Sequence, residues 1–163
     1  MTRPSKPLED AAETDIAPEA GGIDLGPLPR LAGYALRRAQ LAVFEDFIAT
    51  LADLDLRPAQ YSVLLVVERN PGSTQTAVAA ALGIQRANFV ALIDGLEAKG
   101  LARRAPSPND RRSYALELTP LGVETLQRAH LLVAEHDARI IARLGADRSM
   151  PLIDMLHALV ADR

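Results

Sequence analysis

The amino-acid sequence predicts a mainly α fold with a small β-hairpin wing, a winged helix-turn-helix joined to a helical dimerisation region. Three observations predict it. A short helical run from Thr74 to Leu82 breaks at Gly83-Ile84, and a longer run follows from Gln85 to Lys99 and stops at Gly100. Two strand candidates come next, Leu101–Ala105 and Ser113–Leu118, around the polar turn from Pro106 to Arg112. Apolar helical patterns flank this unit on both sides and exceed what a small domain covers by itself. Helix, tight turn, helix and hairpin is the order that presents one helix to a DNA major groove and a loop to the groove beside it.

Taken in order, residues 1–26 are rich in Pro, Gly, Ala, Asp and Glu without a sustained apolar period, which predicts a disordered acidic tail. From about Pro27 to Leu54, Leu31, Tyr34, Ala35, Leu41, Phe44, Ile48 and Leu51 recur at three- and four-residue steps. That spacing predicts a long amphipathic helix, and residues 27–56 are assigned to pairing with a second subunit. The winged helix-turn-helix is expected over 57–119. Pro58 suits the first turn of its opening helix, which carries Tyr61, Leu64, Leu65 and Val66 and stops before Asn70-Pro71-Gly72. Ser73 or Thr74 caps the next helix, and Gly83 supplies a left-handed turn. Phe89, Leu92, Ile93 and Leu96 mark the buried stripe of the fourth helix, with Val90 beside it. Ala87, Ala91 and Gly95 make one flank smooth, which serves a groove of bases or plain helix packing equally. Tyr114, Leu116 and Leu118 alternate with Ser113, Ala115 and Glu117 as in a half-buried strand. Thr119-Pro120 then opens a helix to about Leu144, ended by Gly145. A last helix is expected to open at Ser149 or Met150, and residues 120–163 complete the dimerisation region.

Composition bounds the function. A chain of 163 residues is most simply one domain. With no cysteine, disulfides, thiolate metal sites and thiol redox sensing are excluded. No apolar run approaches a bilayer-spanning length, no secretory signal is evident, and a cytoplasmic protein is expected. The net charge of −3 looks wrong for a nucleic-acid partner until it is divided. Residues 1–30 hold three basic and six acidic side chains, and the remainder is neutral. From Arg86 to Arg112 there are six basic residues against three acidic, and the local field governs docking on phosphate.

Candidate contacts follow. Arg86 and Asn88 stand in the first turns of the longer helix. Arg pairs with guanine and Asn with adenine edges, while the alternatives are a phosphate contact for Arg86 and a solvated amide for Asn88. Thr74, Gln75 and Thr76 offer hydroxyl, amide and backbone N–H groups to phosphate. In Asn109-Asp110-Arg111-Arg112, an aspartate two residues before an arginine can aim its guanidinium, and a narrow minor groove attracts such an arginine. The bland alternative is an exposed ion pair of small energetic value.

These residues resemble the MarR family of bacterial winged-helix repressors over about Leu31 to Val160. The resemblance is carried by Leu56-Arg-Pro-Ala-Gln-Tyr61, Leu82-Gly-Ile-Gln-Arg-Ala-Asn88, Leu92-Ile-Asp-Gly-Leu-Glu-Ala-Lys-Gly-Leu101, Asn109-Asp-Arg-Arg112 and Leu116-Glu-Leu-Thr-Pro-Leu-Gly122. It implies a homodimer on a pseudo-palindromic double-stranded DNA operator, with Arg112 in the minor groove and Asp110 as its brace. Two departures stand out: Ala91 and Gly95 where many members carry an arginine or a polar residue, and Arg57 where a capping threonine is usual. The resemblance also implies a small-molecule effector between the first, second and fifth helices. There this chain offers Tyr34, Arg37, Arg38, Phe44, Phe47, Tyr61, His130 and Ala134. Rings on an aromatic body and an arginine on a carboxylate or phosphate would suit an aromatic acid or its coenzyme A thioester.

No metal is expected, because His130, His136 and His157 form no His-x-x-x-His pair. No cofactor and no enzymatic signature stand out. The sequence therefore predicts a DNA-binding transcriptional regulator, a repressor released by an effector. A second reading is a non-catalytic winged-helix module that holds a protein partner.

Overall fold

Among the described residues, six α-helices and one antiparallel hairpin follow each other in the order α1 (Ala32–Thr50), α2 (Pro58–Arg69), α3 (Gln75–Ala81), α4 (Arg86–Ala98), β1 (Ala102–Pro106), β2 (Tyr114–Leu118), α5 (Pro120–Leu144) and α6 (Ala146–Ala158). The computed structural model describes residues 23–106 and 114–161. The tail expected over 1–26 therefore falls almost wholly outside the described residues, as do Asp110, Arg111 and Arg112. The described residues divide into two compact units, one within 1–41 and one within 42–163.

The first unit contains a short 3-10 turn, Leu28–Arg30, before α1 begins at Ala32. The helix is thus shorter than the expected run from Pro27 to Leu54. Leu31, extended at φ −85° and ψ 125°, breaks the helical run between that turn and α1. At its other end a second 3-10 turn, Ala52–Leu54, leads to Asp55 in the left-handed region at φ 49°, and α2 starts afresh.

The second unit holds the core. Leu51, Val63, Leu64, Val78, Phe89, Ile93, Leu96, Leu116 and Leu126 are wholly or almost wholly buried. Each such side chain contributes about 1.5–3 kcal/mol. Helix α2 lies at the centre, packed against α3, α4, α5 and β2. Its start is fixed by Pro58 and by Gln60, whose Oε1 accepts the Arg57 N–H at 3.1 Å. Helix α3 is capped by Thr74, whose hydroxyl oxygen accepts from the Ala77 N–H at 3.2 Å, worth about 1 kcal/mol. Gly83, at φ 63°, turns the chain between α3 and α4.

The hairpin pairs Ala102 with Leu118, Arg103 with Glu117 and Arg104 with Leu116. A backbone bond from the Leu116 N–H to the Ser73 carbonyl (2.9 Å) and a bridge between Thr74 and Ala115 fasten β2 to the start of α3. This changes the expected alternation. Ala115 is buried at 1% exposure because the chain at Thr74 covers it, while Tyr114 is turned outward at 57%.

Helix α5 has the expected bounds, with the Thr119 hydroxyl accepting from the Gly122 N–H at 3.0 Å. Helix α6 opens at Ala146, earlier than the expected Ser149 or Met150, because Gly145 at φ 87° lets the chain restart at once. Pro151 then sits inside the helix. Neither α1 nor α6 buries a residue. Among the described residues no single helix is long and apolar enough to cross a membrane.

Candidate nucleic-acid interface

Helix α4 owes its orientation to Phe89, Ile93 and Leu96, buried on one side, with Leu92 packed against the same core. Gln85, Arg86, Asn88 and Ala91 are consequently exposed. Arg86 and Asn88 are two positions apart, so the helical period sends them to different flanks.

Arg86 faces the α3 side. With Thr74, Gln75, Thr76, Val90, Arg104 and Tyr114 it lines an open groove of about 600 Å³. Four residues expected to meet DNA thus share one groove, at the capped start of α3. Val90, expected beside the buried stripe, is 39% exposed here. Tyr114 at the foot of the wing was hidden from the sequence reading by its regular place in an alternating strand.

Asn88 faces the α2 side instead. With Asp55, Arg57, Ala59, Gln60, Ala91, Leu92 and Lys99 it lines a second groove of about 670 Å³. The smooth flank has two uses. Ala91 opens onto this groove, whereas a Cβ on Gly95 would stand 3.3 Å from Gln60 Nε2, so Gly95 serves helix packing.

The basic residues divide in the same way. Lys99 Nζ meets Asp55 Oδ2 at 3.0 Å, and it also bonds the Asp55 carbonyl. Arg103 grips Glu117 across the hairpin at 2.7 and 2.9 Å. Arg104 meets Asp94 at 2.8 Å and also Glu97, whose other oxygen accepts the Arg104 N–H. Asp55 and Glu117 come from outside the Arg86–Arg112 stretch, so the local positive excess is smaller than the sequence tally. Among the described residues no carboxylate meets Arg86.

The expected effector residues fall in both units. Tyr34 is half-buried, and Arg37 and Arg38 are exposed, on the part of α1 in the first unit. In the second unit Tyr61 and His130 meet edge to face at 6.0 Å. Phe47 touches Tyr61 edge to face at 6.0 Å and stacks on His136 at 4.9 Å. Phe44 stays 47% exposed, outside this aromatic row, and Ala134 is exposed. Burial raises the Tyr61 hydroxyl above its usual range, with Glu68 adding to the effect, so it remains a donor at neutral pH. His130 Nε2 is buried and has no hydrogen-bond partner among the described residues.

Sequence reasoning weighed His136 only as a metal ligand and missed its pairing with Asp46. His136 is 5% exposed and its Nδ1 lies 3.0 Å from Asp46 Oδ2, which Arg139 also approaches at 3.3 Å. No sequence signal joins residues 90 positions apart. Among the described residues no group of three His, Asp or Glu side chains is placed to hold a metal ion.

Residues 54–113 match the sequence profile of the MarR family. A protein assigned to transcriptional regulation of the hcr operon in Thauera aromatica is 38% identical over 149 residues, covering 91% of this chain and 87% of that protein. The transcriptional repressor CouR bound to a 23-mer DNA duplex superposes with a TM-score of 0.81 at 50% identity, over 85% of this chain and 99% of that one. CouR bound to p-coumaroyl-CoA superposes at 0.79 and 48% identity, over 84% of this chain and 96% of that one. The two-stranded wing, the capped α3, the Gly83 turn and these likenesses agree, and the chain belongs to the MarR family of transcriptional regulators, proteins that are not enzymes.

Proposed function

We propose that this chain is a homodimeric repressor that binds a pseudo-palindromic double-stranded DNA operator in the cytoplasm. It releases the operator when it binds a small aromatic acid or the coenzyme A thioester of one. The observation that carries the reading is the outward set of the first turns of α4. Arg86 stands beside Thr74, Gln75 and Thr76 on one flank and Asn88 on the other. The likeness to CouR bound to a DNA duplex and to p-coumaroyl-CoA supports both halves of it.

In this reading residues 57–119 meet DNA. Asn88 and Arg86 take base edges or the phosphates beside them, and Arg112, aimed by Asp110 and flanked by Arg111, enters the minor groove. Residues 27–56 and 120–163 join the two subunits. For the effector, Tyr61 and His130 supply a ring face, a hydroxyl donor and a buried nitrogen in need of a partner. Tyr34, Phe44, Arg37 and Arg38 are the further candidates, the arginines for a carboxylate or for coenzyme A phosphates. The effector acts by favouring a spacing of the two α4 helices that no longer matches successive major grooves. It shifts that balance only through a difference in affinity for the two spacings.

A gel shift on the DNA flanking the coding gene, titrated with p-coumaroyl-CoA, tests both halves. Retardation that the thioester reverses is expected. No retardation on that DNA overturns the repressor reading, and retardation untouched by the thioester or the free acid overturns the effector.

A further inference from the structure

The second groove, between the start of α2 and the exposed flank of α4, holds Asn88, but its α2 wall has no role in the contacts assigned so far. An α-helix with its side chains is about 10–12 Å across, and a B-form major groove is about 12 Å wide. A helix seated there fills the groove from wall to wall, so each flank meets the phosphate backbone of a different strand. On one flank of α4 the polar groups facing a backbone belong to Thr74, Gln75, Thr76 and Tyr114. The other flank is faced by Arg57, Ala59 and Asp55.

We infer that Arg57 is a DNA-contacting residue that takes a phosphate of the strand on the α2 side of the recognition helix, opposite the strand held by the start of α3. Four features of the groove support it. Arg57 is exposed at the residue before α2, and among the described residues no carboxylate meets its guanidinium. The titratable groups lining the groove are Asp55, Arg57 and Lys99. Asp55 is matched by Lys99 at 3.0 Å, which leaves the Arg57 charge as the excess. Ala59 and Ala91 are small and exposed, so a sugar-phosphate chain can come close. Asn88 lines the same groove, which places the Arg57 guanidinium beside a group expected to meet a base edge. An arginine suits this place better than a short capping side chain because it reaches outward and binds phosphate in a fork. Gln60 already takes the Arg57 N–H, so the start of α2 is partly satisfied without a capping hydroxyl.

The inference rests on the DNA-binding reading, and its test separates the two. Binding to a fluorescein-labelled random-sequence duplex is followed by anisotropy between roughly 50 and 200 mM salt. Phosphate contacts are counted whatever the sequence. Arg57→Ala is expected to weaken binding roughly five- to tenfold and to reduce the salt slope by about 0.9 per subunit engaged. Arg57→Lys should keep most of the slope, and Arg128→Ala, an exposed charge on α5 outside both grooves, should change neither quantity. Arg57→Gln removes the charge and keeps a polar side chain of intermediate length; it should lose as much as Arg57→Ala, and it carries the test should the alanine variant fail to fold. Wild-type slope and affinity in both neutral variants overturn the inference while leaving the DNA-binding reading intact. An equal loss in Arg128→Ala also overturns it, since that would be a long-range charge effect. Failure of the wild-type protein to bind the duplex overturns both.

Discussion

Asp46 receives more polar partners than any residue near it, all from α5 or its own helix. His136 Nδ1 lies 3.0 Å from one carboxylate oxygen, and the Arg139 guanidinium is 3.3 Å from each. Arg139 also donates to the Thr50 hydroxyl at 2.9 Å, and Thr50 in turn donates to the Asp46 carbonyl at 2.8 Å. Burial works to raise the carboxyl, but the hydrogen bond with His136 and the Arg139 charge outweigh it and hold it below its usual value. A carboxyl with a lowered folded value stabilises the protein above its unfolded value near 3.8, and that contribution is lost as pH falls through the folded value. Asp46→Asn should therefore be less stable than wild type at neutral pH, with the gap closing as both are acidified below about pH 4. Urea unfolding at a series of pH values checks it, and a gap of constant size would mean that the charge is immaterial. At this scale the sequence speaks where chemistry is local. Thr74 and Thr119 were readable as caps because each serves the helix that follows it. The faces of Tyr114 and Ala115 are not readable in this way, because they are decided by Ser73-Thr74, about forty residues earlier in the chain.

Among the elements, the joint between β1 and α5 is the least forgiving. The Thr119 N–H donates to the Leu101 carbonyl at 3.1 Å, and its hydroxyl donates to the Gly100 carbonyl at 2.6 Å. The first turn of α5 is thereby drawn onto the backbone, and a Cβ added at Gly122 would stand 1.9 Å from the Leu101 carbonyl oxygen. Two effects oppose each other in Gly122→Ala. Helix propensity favours alanine by about 0.8–1.0 kcal/mol, whereas forcing an atom into a packed backbone typically costs about 1–3 kcal/mol, occasionally more. At 1.9 Å from a main-chain atom no side chain can yield, so the second effect wins and the variant should be clearly destabilised. Gly33→Ala in α1 meets nothing within 4 Å, and should gain stability by up to about 1 kcal/mol. Urea titrations of the pair decide the matter, and equal shifts would contradict the close approach. The bounds of α2, α3, α4 and α5 were legible because Pro58, Thr74, Gly83, Gly100, Thr119 and Gly145 punctuate them locally. The ends of α1 and the start of α6 were less so. Apolar periodicity continues through the 3-10 turns around α1, and Pro151 lies within α6 rather than near its start.

At the scale of the whole molecule the decisive feature is apolar surface left without cover among the described residues. Helix α6 buries no residue, and Met150, Ile153, Met155, Leu156, Leu159 and Val160 are each between 38 and 62% exposed. On the second unit's part of α1, Val43, Phe44 and Ile48 are exposed as well. Scattered apolar residues on a surface need no explanation, but a helix with no buried side chain and an apolar stripe points to a partner. Periodicity made this surplus readable from the sequence, while the partner that covers it is not written in any single stretch. A second copy of the same chain satisfies both copies at once through a twofold interface. Wild-type protein should then sediment at twice the mass of one chain, and its melting temperature should rise with concentration, as mass action requires when folding and pairing are linked. Glutamate at both Ile153 and Leu156 places two charges in that surface. Such a variant should run as a monomer, and it should lose retardation of DNA far beyond what either recognition helix loses alone, because the two half-sites are no longer bound together. A wild-type protein that stays single at tens of micromolar, or a double variant that remains paired, would put the interface elsewhere on the molecule.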